Sequence, residues 1–193
     1  MKARSILMLA FALACVGAYH QAVAAGATPI DPAKSTLTIH VMKSGFFSAF
    51  GHEHEISAPI RRGSFSEDAL SVEVEVDSRN LRVDDKDISD KDRQEVQSRM
   101  LGPDVLDSEK LPDIRFRSTV VDRIGKDEWS VRGDLTLHGQ TRPVTIKVQK
   151  AGGHYRGATE IKQKDFGITP TTIAGGAVKV KNEVKIEFDI VGK

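Results

Sequence analysis

The run Val178-Lys179-Val180-Lys181-Asn182-Glu183-Val184-Lys185-Ile186-Glu187-Phe188-Asp189-Ile190 decides how the chain reads. Val178, Val180, Val184, Ile186, Phe188 and Ile190 share one parity, and Lys179, Lys181, Glu183, Lys185, Glu187 and Asp189 share the other. Successive side chains of a strand point to opposite faces, so this is one long strand with an apolar face and a charged one. Earlier runs repeat the pattern. Leu37, Ile39 and Val41 alternate with Thr36, Thr38 and His40, and Val72, Val74 and Val76 alternate with Ser71, Glu73, Glu75 and Asp77. Trp129, Val131, Gly133, Leu135 and Leu137 share a face, as do Val144, Ile146 and Val148. Weaker runs at His54–Phe65, Ile114–Val121 and Tyr155–Gln163 complete about eight strands.

The punctuation fits. Gly125-Lys126-Asp127, Gly139-Gln140-Thr141-Arg142-Pro143 and Gly152-Gly153 are turn compositions, with Gly139 expected at positive φ. Such short connections predict antiparallel neighbours. Between Asp84 and Asp107 the sequence turns polar, with Val96, Met100 and Leu101 at helical spacing, which predicts a short helical insertion around residues 87–107. The expected class is all-β: an eight-stranded antiparallel barrel, whose closure removes exposed sheet edges, or a sandwich. Such a barrel either holds one small ligand or is filled by its own side chains, and alternation does not choose between them.

The N-terminus reads as a leader. Lys2 and Arg4 precede an apolar run from Ile6 to Tyr19, too short to span a bilayer, and Ala22-Val23-Ala24 is a small-x-small cleavage site. Cleavage after Ala24 makes residues 1–24 a secretory signal peptide and residues 25–193 the working domain, located in the periplasm or outside the cell. Cys15, the one cysteine, departs with the leader, so no disulfide framework is available. Lipidation at Cys15 is disfavoured by the poor match of Ala12-Leu13-Ala14 and by the apolar stretch that follows. Without Lys2 and Arg4, 26 basic residues face 27 acidic ones, which offers nucleic acid no electrostatic footprint. No second long apolar run predicts a transmembrane helix.

Four ordered motifs stand out. They are Gly45-Phe46-Phe47-Ser48 with Gly51-His52-Glu53-His54-Glu55-Ile56; Leu111-Pro112-Asp113-Ile114-Arg115-Phe116-Arg117-Ser118; Gly133-Asp134-Leu135-Thr136-Leu137-His138-Gly139-Gln140-Thr141-Arg142-Pro143-Val144; and Lys164-Asp165-Phe166-Gly167-Ile168. Over roughly Asp31 to Val191 the chain resembles the YceI-like family of periplasmic, lipocalin-like proteins, and the third motif is the most specific part of the likeness. The resemblance implies a lipocalin-like eight-stranded barrel with a helical insertion. It also implies that a long isoprenoid or other amphiphilic lipid binds in an internal apolar tunnel. The histidine-rich Gly51-His52-Glu53-His54 tetrad and the charged segment Asp84–Asp104 depart from the commoner family pattern.

On that reading Phe46, Phe47, Phe50, Phe65, Ile114, Phe116 and Phe166 wall the cavity, and His52, His54 and Arg93 orient a polar head group at its mouth. Each buried methylene of a ligand contributes ~0.8 kcal/mol. The plainer account of the phenylalanines is ordinary core filling. No catalytic residues and no cofactor are assigned, beyond a bound isoprenoid lipid. Gly-x-Ser-x-Gly is absent, and Gly175-Gly176 lacks the Lys-Ser/Thr of a phosphate loop. The acidic run Asp84–Asp90 lacks the glycine and glutamate of a calcium loop.

Two other classes stay open. His52 and His54, two apart on a strand, would share a face, and with His40 or His138 as a third ligand they would hold zinc in a metal-dependent enzyme. A packed barrel acting only through its surface, as a stress-response module, is the other. The sequence sets no oligomeric state, and a homodimer is compatible with it.

Overall fold

Alternation becomes sheet along most of the chain. The computed structural model describes residues 26–44, 53–173 and 178–193. The expected leader, with Cys15, and the segment carrying Phe46, Phe47, Phe50 and His52 lie outside the described residues. The strands are β1 (Thr28–Pro29), β2 (Thr36–Ser44), β3 (His54–Ser57), β4 (Ile60–Ser66), β5 (Ser71–Asp77), β6 (Arg82–Val83), β7 (Asp113–Gly125), β8 (Glu128–Leu137), β9 (Gln140–Ala151), β10 (His154–Lys162), β11 (Thr172–Ile173) and β12 (Val178–Val191). Among the described residues they form a single sheet ordered β1-β4-β5-β7-β8-β9-β10-β12-β2-β3-β6, with β11 beside β12. Every described pairing is antiparallel.

The sheet curls into a barrel because one stave is bent. The run His54–Phe65, expected as one strand, breaks at Ala58-Pro59 into β3, which pairs with β2, and β4, which pairs with β5. Proline has no N–H to give a ladder, and Ala58 N–H instead donates to Leu37 O at 2.9 Å. With β3 and β4 counted as one, the staves are β2, β3/β4, β5, β7, β8, β9, β10 and β12, the eight expected. β1 stitches the remaining seam: Ile30 N–H donates to Gly63 O at 2.9 Å and Asp31 N–H to Val191 O at 2.8 Å.

Two bulges change which residues face inward. On β7 the register slips between Ser118 and Val120. Phe116 therefore points inward, Val121 takes up the inner face beyond the slip, and Val120 is left 40 % exposed. On β4 the slip between Ile60 and Arg62 turns Arg61 and Arg62 to one outer carboxylate, Glu75. Neither slip shows in a parity count. The extra residues in β12, between Val180 and Val184, come as a pair and preserve its parity.

The insertion folds as α1 (Asp90–Leu101). Ser89 caps it by accepting from Asp92 N–H at 3.2 Å, and Met100 is buried against the barrel. Its attachment is largely polar. The Gln97 side chain accepts from Val83 N–H at 2.9 Å and donates to Leu81 O at 2.8 Å, so it satisfies backbone groups on and beside β6. Gln97→Ala removes both bonds, and a loss of about 1 kcal/mol in urea unfolding is expected.

The core divides in two. A larger cluster, including Leu81, Met100, Leu106, Phe166 and Ile168, fills the α1 end. A smaller one, Ile30, Ile60 and Ile190, lies towards the opposite end, here the hairpin end, where β4–β5, β7–β8 and β9–β10 turn.

Candidate functional site

The inward residues do not meet across the axis. Between the two clusters runs a cavity of about 280 Å³. Its lining on β8 extends from Trp129 to Leu137. That is roughly 27 Å along the strand at ~3.4 Å per residue, or about 20 Å along the axis for a tilt near 40°. The space is elongated. Two glycines help to keep it open. A Cβ on Gly133 of β8 would lie 2.5 Å from Phe116 Cζ, and one on Gly157 of β10 would lie 2.6 Å from Phe188 Cζ. The Phe116 and Phe188 rings therefore lie over bare backbone, against the wall.

The lining is overwhelmingly aliphatic and aromatic. Of the sequence-derived candidates, Phe65, Ile114 and Phe116 border the cavity. Phe166, 1 % exposed, packs in the α1-end core and does not border it. Phe46, Phe47, Phe50 and His52 lie outside the described residues. His54 and Arg93 do come together, although not at the cavity. His54 Nδ1 bonds Asp85 Oδ2, Glu55 N–H donates to Asp85 Oδ1 at 2.8 Å, and Arg93 Nη1 donates to Asp85 O at 2.6 Å. Asp85, nearly buried, is thus the hub joining β3 to the segment before α1. His54 and Arg93, expected at the cavity mouth, here share a bracket on Asp85 and are not among the residues that line the cavity.

The other described histidines are also hydrogen-bonded. His54 pairs across from Val41 and His40 from Glu55, so His54 and His40 take opposite faces of the sheet and do not converge. His40 Nε2 bonds Glu187 Oε2 at 2.9 Å. His138 Nδ1–H donates to Phe166 O at 3.1 Å and ties the β8–β9 hairpin to the turn Gln163–Phe166. Its role therefore reaches beyond its own turn, where both His138 (φ 49°) and Gly139 (φ 69°) are left-handed. Among the described residues no group of three metal-ligating side chains forms.

The sequence reading missed the polar groups that do border the cavity. At the hairpin end these are Ser66, Glu67, Ser71 and Tyr155, beside the Trp129 indole, and Glu67 is the one charged side chain among the described lining residues. Glu67 Oε1 accepts from Lys150 Nζ at 2.5 Å and from the Tyr155 hydroxyl. The Phe65 and Tyr155 rings are 4.6 Å apart, and Tyr155 and Trp129 6.1 Å. Arg123 lies 5.3 Å from the Trp129 ring centre and 3.8 Å from Glu67 Oε2. The Lys150 bond holds the Glu67 carboxyl below the usual carboxylate range, and the same bond pushes Lys150 up to about 12. Burial raises the Tyr155 phenol. These residues come from six different strands and the β4–β5 hairpin, so no local motif announces them.

At the α1 end the described lining is mostly apolar: Leu81, Met100, Leu106 and Ile168 are all buried, and Gln163 is the polar residue beside them. The hairpin end is different. Leu70 both borders the cavity and is 41 % exposed.

Comparison with known proteins agrees with this architecture. Residues 29–192 match the family model described as the YceI-like domain. A UPF0312 protein of Vibrio cholerae serotype O1 is 34 % identical over 142 residues, covering 65 % of this chain and 68 % of the relative. A UPF0312 protein of Shewanella denitrificans is 31 % identical over 168 residues, covering 80 % and 82 %. Among solved structures, Burkholderia cenocepacia BcnA superposes with a TM-score of 0.62 at 22 % identity, covering 85 % of this chain and 99 % of that one.

Proposed function

The chain belongs to the YceI-like family, and from that premise we propose that it is a carrier, not a catalyst, for one long apolar or amphiphilic molecule held inside the barrel. A polyisoprenoid or quinone-like lipid suits the space. The observation that carries this reading is the cavity itself, elongated and lined by apolar side chains from staves all around the barrel. Phe65, Ile114 and Phe116 would form part of its wall. Burial of ~0.8 kcal/mol per methylene leaves several kcal/mol for a chain of about ten, after ordering costs. The basic start, short apolar run and Ala22-Val23-Ala24 site of the leader support delivery to the periplasm. No helix among the described residues is long and apolar enough to cross a membrane.

Organic extraction of the purified protein, followed by mass spectrometry, should yield a co-purified lipid. Repeated recovery of empty protein that also ignores added isoprenoids overturns the reading. A filling substitution sharpens the test. Ile146 of β9 borders the cavity, so Ile146→Trp is expected to cost less than ~1.5 kcal/mol in urea unfolding, where a packed core would charge more. The same variant should lose its lipid.

A further inference from the structure

We propose that the bound lipid is oriented, with an anionic or strongly hydrogen-bond-accepting head group at the hairpin end, held by Lys150 and Arg123, and its tail running towards α1. This rests on the carrier reading and goes beyond it in naming the head-group chemistry and the direction of the chain.

Three observations support the polarity. The first is asymmetry: the cavity's one charged described lining residue, Glu67, and its phenol, Tyr155, lie at the hairpin end, whereas the described lining at the α1 end is uncharged and, Gln163 apart, apolar, with Leu81, Met100, Leu106 and Ile168. An anionic head among the described lining residues of the α1 end would lose its hydration with no cation to compensate it. The second is charge. Glu67, which borders the cavity, carries one negative charge against the two positive charges of Lys150 and Arg123 lying against it, an excess of one cation in this cluster behind the lining. The third is donor geometry. The Lys150 ammonium has three N–H groups, and its bond to Glu67 uses one of them. At 3.8 Å from Glu67, Arg123 attracts that carboxylate without a hydrogen bond between them, and its guanidinium stacks over Trp129.

Glu67 has a definite task in this arrangement. It accepts from Lys150 and Tyr155 and fixes both at the rim, so their positions exist before a ligand arrives. Preorganised donors are expected to favour a carboxylate over an alcohol of the same chain, and to reject an ammonium head.

Trp129 is the one tryptophan in the chain and borders the cavity at this end, so its fluorescence reports which end of a ligand is near. The full-length protein, stripped of co-purified lipid, would be titrated with palmitic acid brominated either at the carbon next to the carboxyl or at the terminal carbon. Stronger quenching by the carboxyl-proximal bromine at equal occupancy is the expected result. Equal quenching, or stronger quenching by the terminal bromine, overturns the orientation. If neither acid binds, and isoprenoids do not bind either, the carrier reading itself falls. Lys150→Met is expected to weaken palmitate about tenfold and hexadecanol little, as the loss of one charge-assisted hydrogen bond predicts. Lys150→Arg should restore the preference. Equal weakening of acid and alcohol by Lys150→Met would reduce Lys150 to a structural role and overturn the proposal. Arg123→Gln, outside the Glu67 hydrogen bonds, supplies the same comparison if Lys150→Met unfolds.

Discussion

Gly133→Val should cost about 3 kcal/mol in urea unfolding, at the upper end of the overpacking range. Gly133 is buried on the inner face of β8, paired with Ser118 on one side and Val144 on the other. A Cβ there would lie 2.5 Å from Arg117 O as well as 2.5 Å from Phe116 Cζ. The ring can swing away, but the carbonyl belongs to the β7 ladder and cannot move without breaking pairs. Valine has good strand propensity, so a propensity argument predicts the opposite sign. The two effects are separable. Gly133→Ala combined with Phe116→Leu relieves the ring contact and leaves the carbonyl contact. If that double variant regains full stability, the Phe116 ring was the obstacle; if it stays about as unstable as Gly133→Ala alone, the backbone was. The ring has one further consequence. Displaced from its seat, Phe116 would turn into the cavity, so Gly133→Ala should weaken lipid binding even under conditions where it remains folded. Unchanged unfolding midpoints in both glycine variants would contradict this account of the wall.

Gly133 also shows what the sequence made legible and what it did not. Its parity with Val131 and Leu135 placed it on the inner face, but its use as the seat of an aromatic ring depends on a neighbour on another strand. Long staves such as β5, β8 and β12 were readable because each has one apolar and one charged face. The helix was readable from Val96, Met100 and Leu101, although Gln97, which pins it, looked like any polar residue. β7 was readable in existence and not in facing, since one extra residue at its bulge reverses the inner and outer sides. The candidate site was legible only in part. Phe65, Ile114 and Phe116 lie within apolar runs and could be placed. Glu67, Lys150 and Tyr155 are brought together across 83 and 88 residues of chain. A glutamate in a hairpin and a lysine in an alternating strand have ordinary surface signatures, and closure of the barrel is what assembles them. His54 and Arg93 invited a functional reading because histidine and arginine are often functional. Their geometry around Asp85 depends on where an aspartate 31 residues away from His54 folds back.

Acid should remove a measurable part of the stability through one outer-face carboxylate, and Glu75→Gln should abolish that part. Glu75, with its side chain 8 % exposed, accepts from Arg62 Nε at 2.7 Å, Arg62 Nη2 at 2.9 Å and Arg61 Nη2 at 2.8 Å, with Arg115 Nε 3.1 Å away. The β4 bulge makes this possible by turning consecutive arginines to one side. Foremost through the Arg62 bonds, the carboxyl is held down at about 2, against 4.5 unperturbed. The unfolded chain therefore takes up the proton first as pH falls. The stabilisation is whole above pH 4.5, declines below it, and is gone once the folded carboxyl is also protonated near pH 2. A difference of that size corresponds to on the order of 3 kcal/mol, and screening around the half-exposed guanidinium groups reduces it to about 2. Urea unfolding at neutral pH and at a pH between the two values should thus show wild type losing stability that Glu75→Gln does not lose. Asp77, held down by Arg79 to about 2, contributes equally to both proteins and cancels in the comparison. At neutral pH the variant should itself be less stable by about 2 kcal/mol, because three guanidinium groups then face one another without a carboxylate between them. Parallel pH profiles for the two proteins would mean that the arginines gain nothing from Glu75 that water does not already supply.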